Sequence, residues 1–332
     1  MECELRDSGV RVTPLAIGNR LVSPRALASM LATARTLRRD GVQVVHGYQW
    51  RPALVGCIVA RLAGVPLVLA SKRSLTGDHE QARRAWRVIS RRVDTILVNA
   101  DAVRSDGEAH GMRGRWELIP SGVDVDRFAG GPSPTDAKAA LGLDPARAVV
   151  GTVGRLEERK GHDQFLHGAR EIFARANGMR PQMLIVGDGP LRARLEAQAA
   201  ELDITDSVRF IGAIPDVRLA LAAMDVFVLP SNAEGMSNAL LEAMAARRPV
   251  VATAVGGTCE VLNGDGSGTL VPPGDPQALA GAVMALLADP ARAARVGETA
   301  RQCVIERFSV RAMVTRLESL YEERLAACVG RP

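Results

Sequence analysis

Aromatic residues are scarce in this 332-residue sequence, at 3%, and lysine is scarcer: Lys72, Lys138 and Lys160 are the only three among 42 basic residues. So few stacking platforms, with arginines spread along the chain, argue against a nucleic-acid partner. The five cysteines, Cys3, Cys57, Cys259, Cys303 and Cys328, form no CxxC pair, and the histidines number five. Neither a zinc site nor a disulfide framework has its spacing. Long hydrophobic runs are missing too. The most apolar stretch, Leu54 to Ala70, is broken by Arg61, Gly64 and Pro66, whereas a spanning helix needs about 20 apolar residues. The first residues carry Glu2, Glu4 and Asp7 in place of a basic segment and an apolar core. No secretory signal is therefore expected, and a cytoplasmic location is.

What is present suits two packed domains of about 150 residues each, with 47% apolar and 24% charged residues. Residues 1 to 130 hold 20 basic against 13 acidic groups, and residues 131 to 332 hold 22 against 24. One half is basic and the other nearly neutral. Short β-branched runs alternate with stretches of helical period, the pattern of βα units around parallel sheets. Strands are expected at Val42–His46, Pro66–Ala70 and Thr95–Asn99, then at Ala148–Val153, Gln182–Val186, Val208–Ile211, Val226–Leu229, Val250–Ala252 and Thr269–Val271. The Gly-, Pro- and Asp-rich segment Leu118 to Pro132 reads as a linker. The fold class is α/β, with two Rossmann-like doubly wound domains: residues 1–130, residues 131–308, and a terminal helix in 309–332 packing back on the first domain. The first domain reads as incomplete at its start. It begins in the end of a helix feeding a short strand, Val10–Pro14, as if a leading strand-helix-strand unit of about 30 residues were missing.

Chemistry-bearing residues gather in the second half. Gly154 ends the run "AVVGTVG", Arg155 stands just after it, and Lys160 follows in "GRLEERKG" just before a helix. Parallel sheets bind ligands at the carboxyl ends of their strands, where helix amino termini favour anions, so two cations there can grip a diphosphate. Further on, "NAEGMSNALLEAMA" puts Glu234 in a loop and Glu242 one turn into a helix. Between them Gly235, Met236, Ser237 and Asn238 can turn backbone N–H groups towards a phosphate. Glu242 is placed to accept from a vicinal diol such as a ribose, and Glu234 from sugar hydroxyls. In the blander account Asn238 is a helix cap and Glu242 complements the helix dipole.

Taken in order, "GRLEERKG", "LIVGDGPL", "VRFIGAIPD", "DVFVLPSNAEGMSNALLEAMA" and "PVVATAVGGTCEVL" resemble the carboxy-terminal domain of family 4 glycosyltransferases, retaining enzymes of GT-B fold. "LIPSGVDVDRF" is similar to the family's Ile-Pro-Asn-Gly-Val-Asp signature, with Ser121 in place of the Asn. The resemblance implies GT-B architecture, two domains facing a cleft, and sugar transfer from a nucleotide-sugar donor, UDP-linked, to a glycan or lipid-linked acceptor of the cell envelope. It implies that Arg155 and Lys160 neutralise the diphosphate, Glu234 holds the donor sugar and Glu242 the ribose, with the base at backbone level near Arg209 to Ile214, Ile211 among them. No metal or other cofactor is implied, and the Asp124-Val125-Asp126 triplet in the linker has no supporting ligands.

Departures from the family's pattern shape further expectations. No strand and Gly-Gly loop open the chain, so the alternative reading is an inactive or non-catalytic nucleotide-sugar-binding remnant. The His-x-His pattern keeps His46 but has Tyr48 at its second position, which makes both acceptor-side candidates of low weight. Arg247 and Arg248 occupy a turn where Gly is usual. Arg83, Arg84, Arg87, Arg91 and Arg92 cluster on an amphipathic segment around Trp86 and Ile89. Such a segment can lie against an anionic membrane, at the inner face of the cell membrane here, or can be a solvated helix face.

Overall fold

The computed structural model describes residues 2–15, 17, 23–75, 80–175 and 180–329. The first half runs α1 (Glu2–Asp7), α2 (Pro24–Arg39), β1 (Val44–Tyr48), α3 (Trp50–Ala63), β2 (Leu67–Lys72), α4 (Glu80–Ser90), β3 (Thr95–Val98), α5 (Asp101–Ala109) and β4 (Trp116–Leu118). Its strands form one parallel sheet in the order β1-β2-β3-β4. Val10–Pro14 is not a strand. Arg11 instead pairs with Asp40, the Val12 carbonyl accepts from Arg6, and Pro14 has no N–H to give a ladder.

A short helix, α6 (Pro134–Ala140), leads into the second half. There β5 (Val149–Val153), α7 (His162–Arg175), β6 (Gln182–Val186), α8 (Arg192–Glu201), β7 (Val208–Gly212), α9 (Arg218–Ala223), β8 (Val226–Leu229), α10 (Asn238–Ala245), β9 (Val250–Thr253), α11 (Gly257–Val261) and β10 (Thr269–Val271) alternate. Three helices follow: α12 (Pro276–Ala288), α13 (Pro290–Arg307) and α14 (Val310–Val329). Every pairing in the second sheet is parallel, in the order β10-β9-β8-β5-β6-β7. Strands β6, β8 and β9 are buried along their whole length, because helices cover both faces. From β5 the chain winds outwards one way to β6 and β7, then returns to lay β8 on the other side of β5. The loops after β5 and β8 therefore diverge and leave a crevice at the carboxyl edge.

Two crossings join the halves. Val123 donates to the Phe308 carbonyl and accepts from Val310 N–H, at 2.8 and 3.0 Å. The backbones are so close that a Cβ on Gly122 would lie 2.8 Å from Val310 Cα. From this crossing α14 runs back over the first sheet, where Leu317, Leu320, Tyr321 and Leu325 pack on Leu67, Leu69 and Leu97. The turn after α10 holds Arg247 at φ 57, in the left-handed region that favours glycine, and its guanidinium pairs with Glu298 at 2.6 Å.

Candidate functional site

The crevice at the β5–β8 switch point opens into a cavity of about 620 Å³ between the two halves. Gly154, Arg155, Arg159, Lys160, Glu234, Gly235, Met236, Ser237 and Asn238 line it from the second half. Gln49, Arg73, Ser74, Asn99, Ser121 and Gly122 line it from the first, with Met313 from α14.

At its floor Lys160 Nζ lies 2.5 Å from Glu234 Oε1, and Ser231 Oγ donates to the same oxygen at 2.8 Å. Glu234 is 3% exposed. Two loops with no covalent link are pinned together here. Asn232 and Ala233 N–H donate to the Arg159 carbonyl, and Asn232 Nδ2 donates to the Glu158 carbonyl at 2.9 Å. Gly161, at φ 63, ends the turn that carries Lys160, and a Cβ there would meet the Pro230 carbonyl oxygen at 2.0 Å. Only glycine lets the Lys160 turn rest on the end of β8.

The three lysines now separate by role. Lys72 is buried against Asp106 at 2.6 Å, and burial pushes its ammonium below the usual lysine value. Lys138 ties α6 to Asp225 at 2.8 Å. Lys160 alone of the three lines the cavity between the halves. Above it Arg155 is largely exposed, 3.7 Å from Glu157, which also takes Arg159 at 2.6 Å. His162, unremarked in the sequence, is buried beside Lys160, with neither ring nitrogen partnered among the described residues. Burial, then the Lys160 charge, lowers its pKa to about 4, so it adds no charge to the cavity at neutral pH.

Glu242 opens on an adjoining cavity of about 210 Å³, together with Arg127, Phe128, Asp124, Asp216 and Val217. Gly122 and Asn238 line both cavities and form the border between them. Burial raises the pKa of Glu242, with Arg127 opposing and Asp216 reinforcing. The cap of α10 is Ser237, whose Oγ accepts from Leu240 N–H, and Asn238 is the first helical residue. Met236 turns its thioether away to accept from Ser121 N–H across the domain boundary at 3.2 Å. Ile211 lines neither cavity. Its side chain packs against the core of the second domain, which leaves the backbone of this segment as the part that could meet a base.

His46 and Tyr48 stack at 4.3 Å beside a small cavity that they share with Ser71, Arg73 and Met313. Both His46 nitrogens are engaged within the protein, Nδ1 with Tyr321 Oη at 2.6 Å and Nε2 with Ser71 Oγ at 2.7 Å. Burial, then the Arg73 charge, takes its pKa to about 4. On α4, Arg83, Arg84 and Arg87 all pair with Glu80 while Trp86 and Ile89 are buried, and Arg91 and Arg92 follow on the exposed turn. Among the described residues no helix is long and apolar enough to cross a membrane, and no group of three or more His, Cys, Asp or Glu side chains could hold a metal ion.

Residues 1–122 match the profile described as "Glycosyl transferase 4-like domain", and residues 147–289 match "Glycosyl transferases group 1". A GDP-mannose-dependent alpha-(1-6)-phosphatidylinositol monomannoside mannosyltransferase of Mycolicibacterium smegmatis is 35% identical over 296 residues, covering 83% of this chain and 75% of that one. The chain belongs to family 4 of the glycosyltransferases. Another relative of this family 4 glycosyltransferase is the 2-deoxystreptamine glucosyltransferase of Streptomyces kanamyceticus, 30% identical over 90% of this chain and 81% of that protein. Among solved structures, the Anabaena protein HepE in complex with UDP and glucose superposes with a TM-score of 0.84 at 20% identity, over 97% of this chain and 88% of that one. That likeness shows the GT-B fold. Sucrose-phosphate synthase from Thermosynechococcus elongatus gives a TM-score of 0.79 at 27% identity, over 96% and 84%.

Proposed function

We propose that this glycosyltransferase moves a sugar from a UDP-linked donor to a glycan or lipid-linked acceptor with retention of anomeric configuration. The observation that carries the reading is the Lys160–Glu234 pair at the sheet's switch point, with Arg155 at the rim of the same cavity. Two cations and the first turn of α10 suit a diphosphate. Glu234 suits the donor sugar's hydroxyls, and Glu242, in the adjoining cavity, suits a ribose. In this reading a nucleoside occupies the smaller cavity, its diphosphate lies at the Asn238 border and its sugar over Glu234.

In the reaction the bond between the anomeric carbon and the diphosphate oxygen breaks, and positive charge builds on the ring as it does in glycoside hydrolysis. Negative charge grows on the leaving oxygen, where Lys160, Arg155 and the α10 amides stabilise it. The acceptor oxygen bonds to the anomeric carbon on the face being vacated, and its proton passes to the departing phosphate. This chain's side chains need supply no base and no metal. Exposed Arg91 and Arg92 on the basic half favour an acceptor held at an anionic membrane surface.

Calorimetric titration with UDP and GDP, followed by donor hydrolysis over a panel of nucleotide sugars, tests the reading. Binding of UDP that Lys160→Ala weakens at least tenfold is expected. No binding of either nucleotide to the wild-type chain removes it.

A further inference from the structure

Arg73 stands at the carboxyl end of β2, one residue past a strand that is buried along its whole length. Its Nη2 donates to Ser121 Oγ at 2.8 Å, and its carbonyl accepts from Asn99 Nδ2 at 3.3 Å. Asn99 also donates to Ser121 Oγ at 3.2 Å. Ser121 thus holds the guanidinium directly, and Asn99 braces both Ser121 and the Arg73 backbone. Arg73 lines the large cavity and also the small one beside His46 and Tyr48, so it stands where the two meet.

The charges around the cavity are unevenly satisfied. Lys160 has Glu234, and Arg155 and Arg159 share Glu157. Arg73 has no carboxylate within ion-pair distance among the described residues, and its recorded side-chain partner is the neutral Ser121 hydroxyl. Beside it Asn99, 2% exposed, keeps Oδ1 without a donor among the described residues, facing the Gly235 end of the cavity. A cation without an anion and an acceptor atom without a hydrogen therefore share the wall that the first half gives the cavity, next to Gly235. A guanidinium held at one corner still offers its fork to a carboxylate or phosphate, and a buried amide oxygen left unpaired costs stability until a ligand hydroxyl supplies the hydrogen.

We propose that Arg73, oriented by Ser121 and Asn99, seats an anionic group of the acceptor, a phosphate or a carboxylate, and so selects acceptors that carry such a group near the reacting hydroxyl. The assignment of this wall to the acceptor rests on the opposite wall holding the nucleotide-sugar. Arg73 acts here as a specificity residue. Asn99 takes a hydrogen from the hydroxyl next to the anion.

The test is calorimetry on the full chain with UDP present at saturation, so that the donor's phosphate positions are filled, titrating inorganic phosphate and then acetate. The wild type binds one of the two with a dissociation constant on the order of 1 to 10 mM. Arg73→Gln weakens that binding at least about tenfold, while Arg73→Lys, which keeps the charge but loses the fork, weakens it less than Arg73→Gln does. Preference for phosphate or acetate names the group. Anion binding equal in Arg73→Gln and wild type, or absent from the wild type with UDP bound, overturns the proposal. Failure of UDP itself to bind, visible in the same instrument, takes down the donor reading and this inference together.

Discussion

Lys160 and Glu234 are 74 residues apart in sequence and 2.5 Å apart in space. They follow β5 and β8, neighbours in the sheet that are reached from opposite winding directions, so the contact is a product of topology. Each of the two also depends on the other. A carboxylate this buried is stable as an anion only beside a cation, and a cation so placed is aimed into the cavity by its partner.

That coupling is measurable. Lys160→Ala or Glu234→Ala should each lower sugar transfer at least about a hundredfold, since each removes charge stabilisation that grows during bond breaking. Lys160→Ala should also lower folding stability by about 3 kcal/mol, because it strands Glu234 with the Ser231 hydroxyl alone. The double variant should recover part of that loss. Additive stability losses in a double-mutant cycle would show that the pair is not coupled.

The domain boundary carries a second relationship of this kind. Helix α5 of the first half has Ala100 at its cap position, with no side chain able to serve its first N–H groups. Glu260 of α11 serves them from the other half, Oε2 accepting from Asp101 N–H at 2.9 Å and Oε1 from Ala102 N–H at 3.0 Å. Glu260→Ala should cost about 1 kcal/mol, the usual worth of a cap, and Glu260→Gln less. Small-angle scattering of Glu260→Ala should give a larger radius of gyration as the halves part. An unchanged radius together with an unchanged urea midpoint would mean that the contact does not hold them.

How far these features are legible in the sequence follows from their range. Strands β6 and β8 stand where their apolar runs place them, because a strand buried on both faces needs an unbroken run and leaves a strong local mark. Gly154, Lys160, Glu234 and Glu242 could be singled out because each sits at the carboxyl end of such a strand or one turn beyond. Strand β4 has three residues, the last of them the first of the segment that reads as linker, and three residues cannot show a period. The Val10–Pro14 run has strand composition, but a ladder needs a partner edge, which composition does not supply. Glu260 capping α5 leaves no local trace at a separation of 159 residues. Ser237 and Asn238 are equally good caps by type, and only the backbone angles decide for Ser237.

Two imidazoles, the half-buried His46 and the buried His162, set a pH dependence. His46 and His162 both titrate near 4 in the folded chain and near 6.5 when unfolded, so between these values the unfolded chain binds more protons. Their contribution to stability is complete above pH 6.5, is lost as the pH falls towards 4, and changes no further below that. The slope is up to about 1.4 kcal/mol per pH unit for each imidazole. Urea midpoints at several pH values should show it, and the His46→Gln, His162→Gln double variant should flatten it. A slope unaltered by the double variant would assign the acid lability to other groups.

Gly161 offers the most direct link from backbone geometry to the cavity. Alanine there puts a Cβ 2.0 Å from the Pro230 carbonyl oxygen, at a φ of 63 that alanine adopts at a cost of about 1 kcal/mol before the collision is counted. The turn carrying Lys160 must lift off β8, which lengthens the contact with Glu234. Gly161→Ala should therefore lose about 1 to 3 kcal/mol of stability and at least about tenfold in UDP affinity. Gly131→Ala, at a position with no atom within 4 Å of the added carbon, is the control and should change neither. Stability lost with nucleotide affinity intact would place the turn outside the binding surface, and the diphosphate would then have to be held by α10 without Lys160.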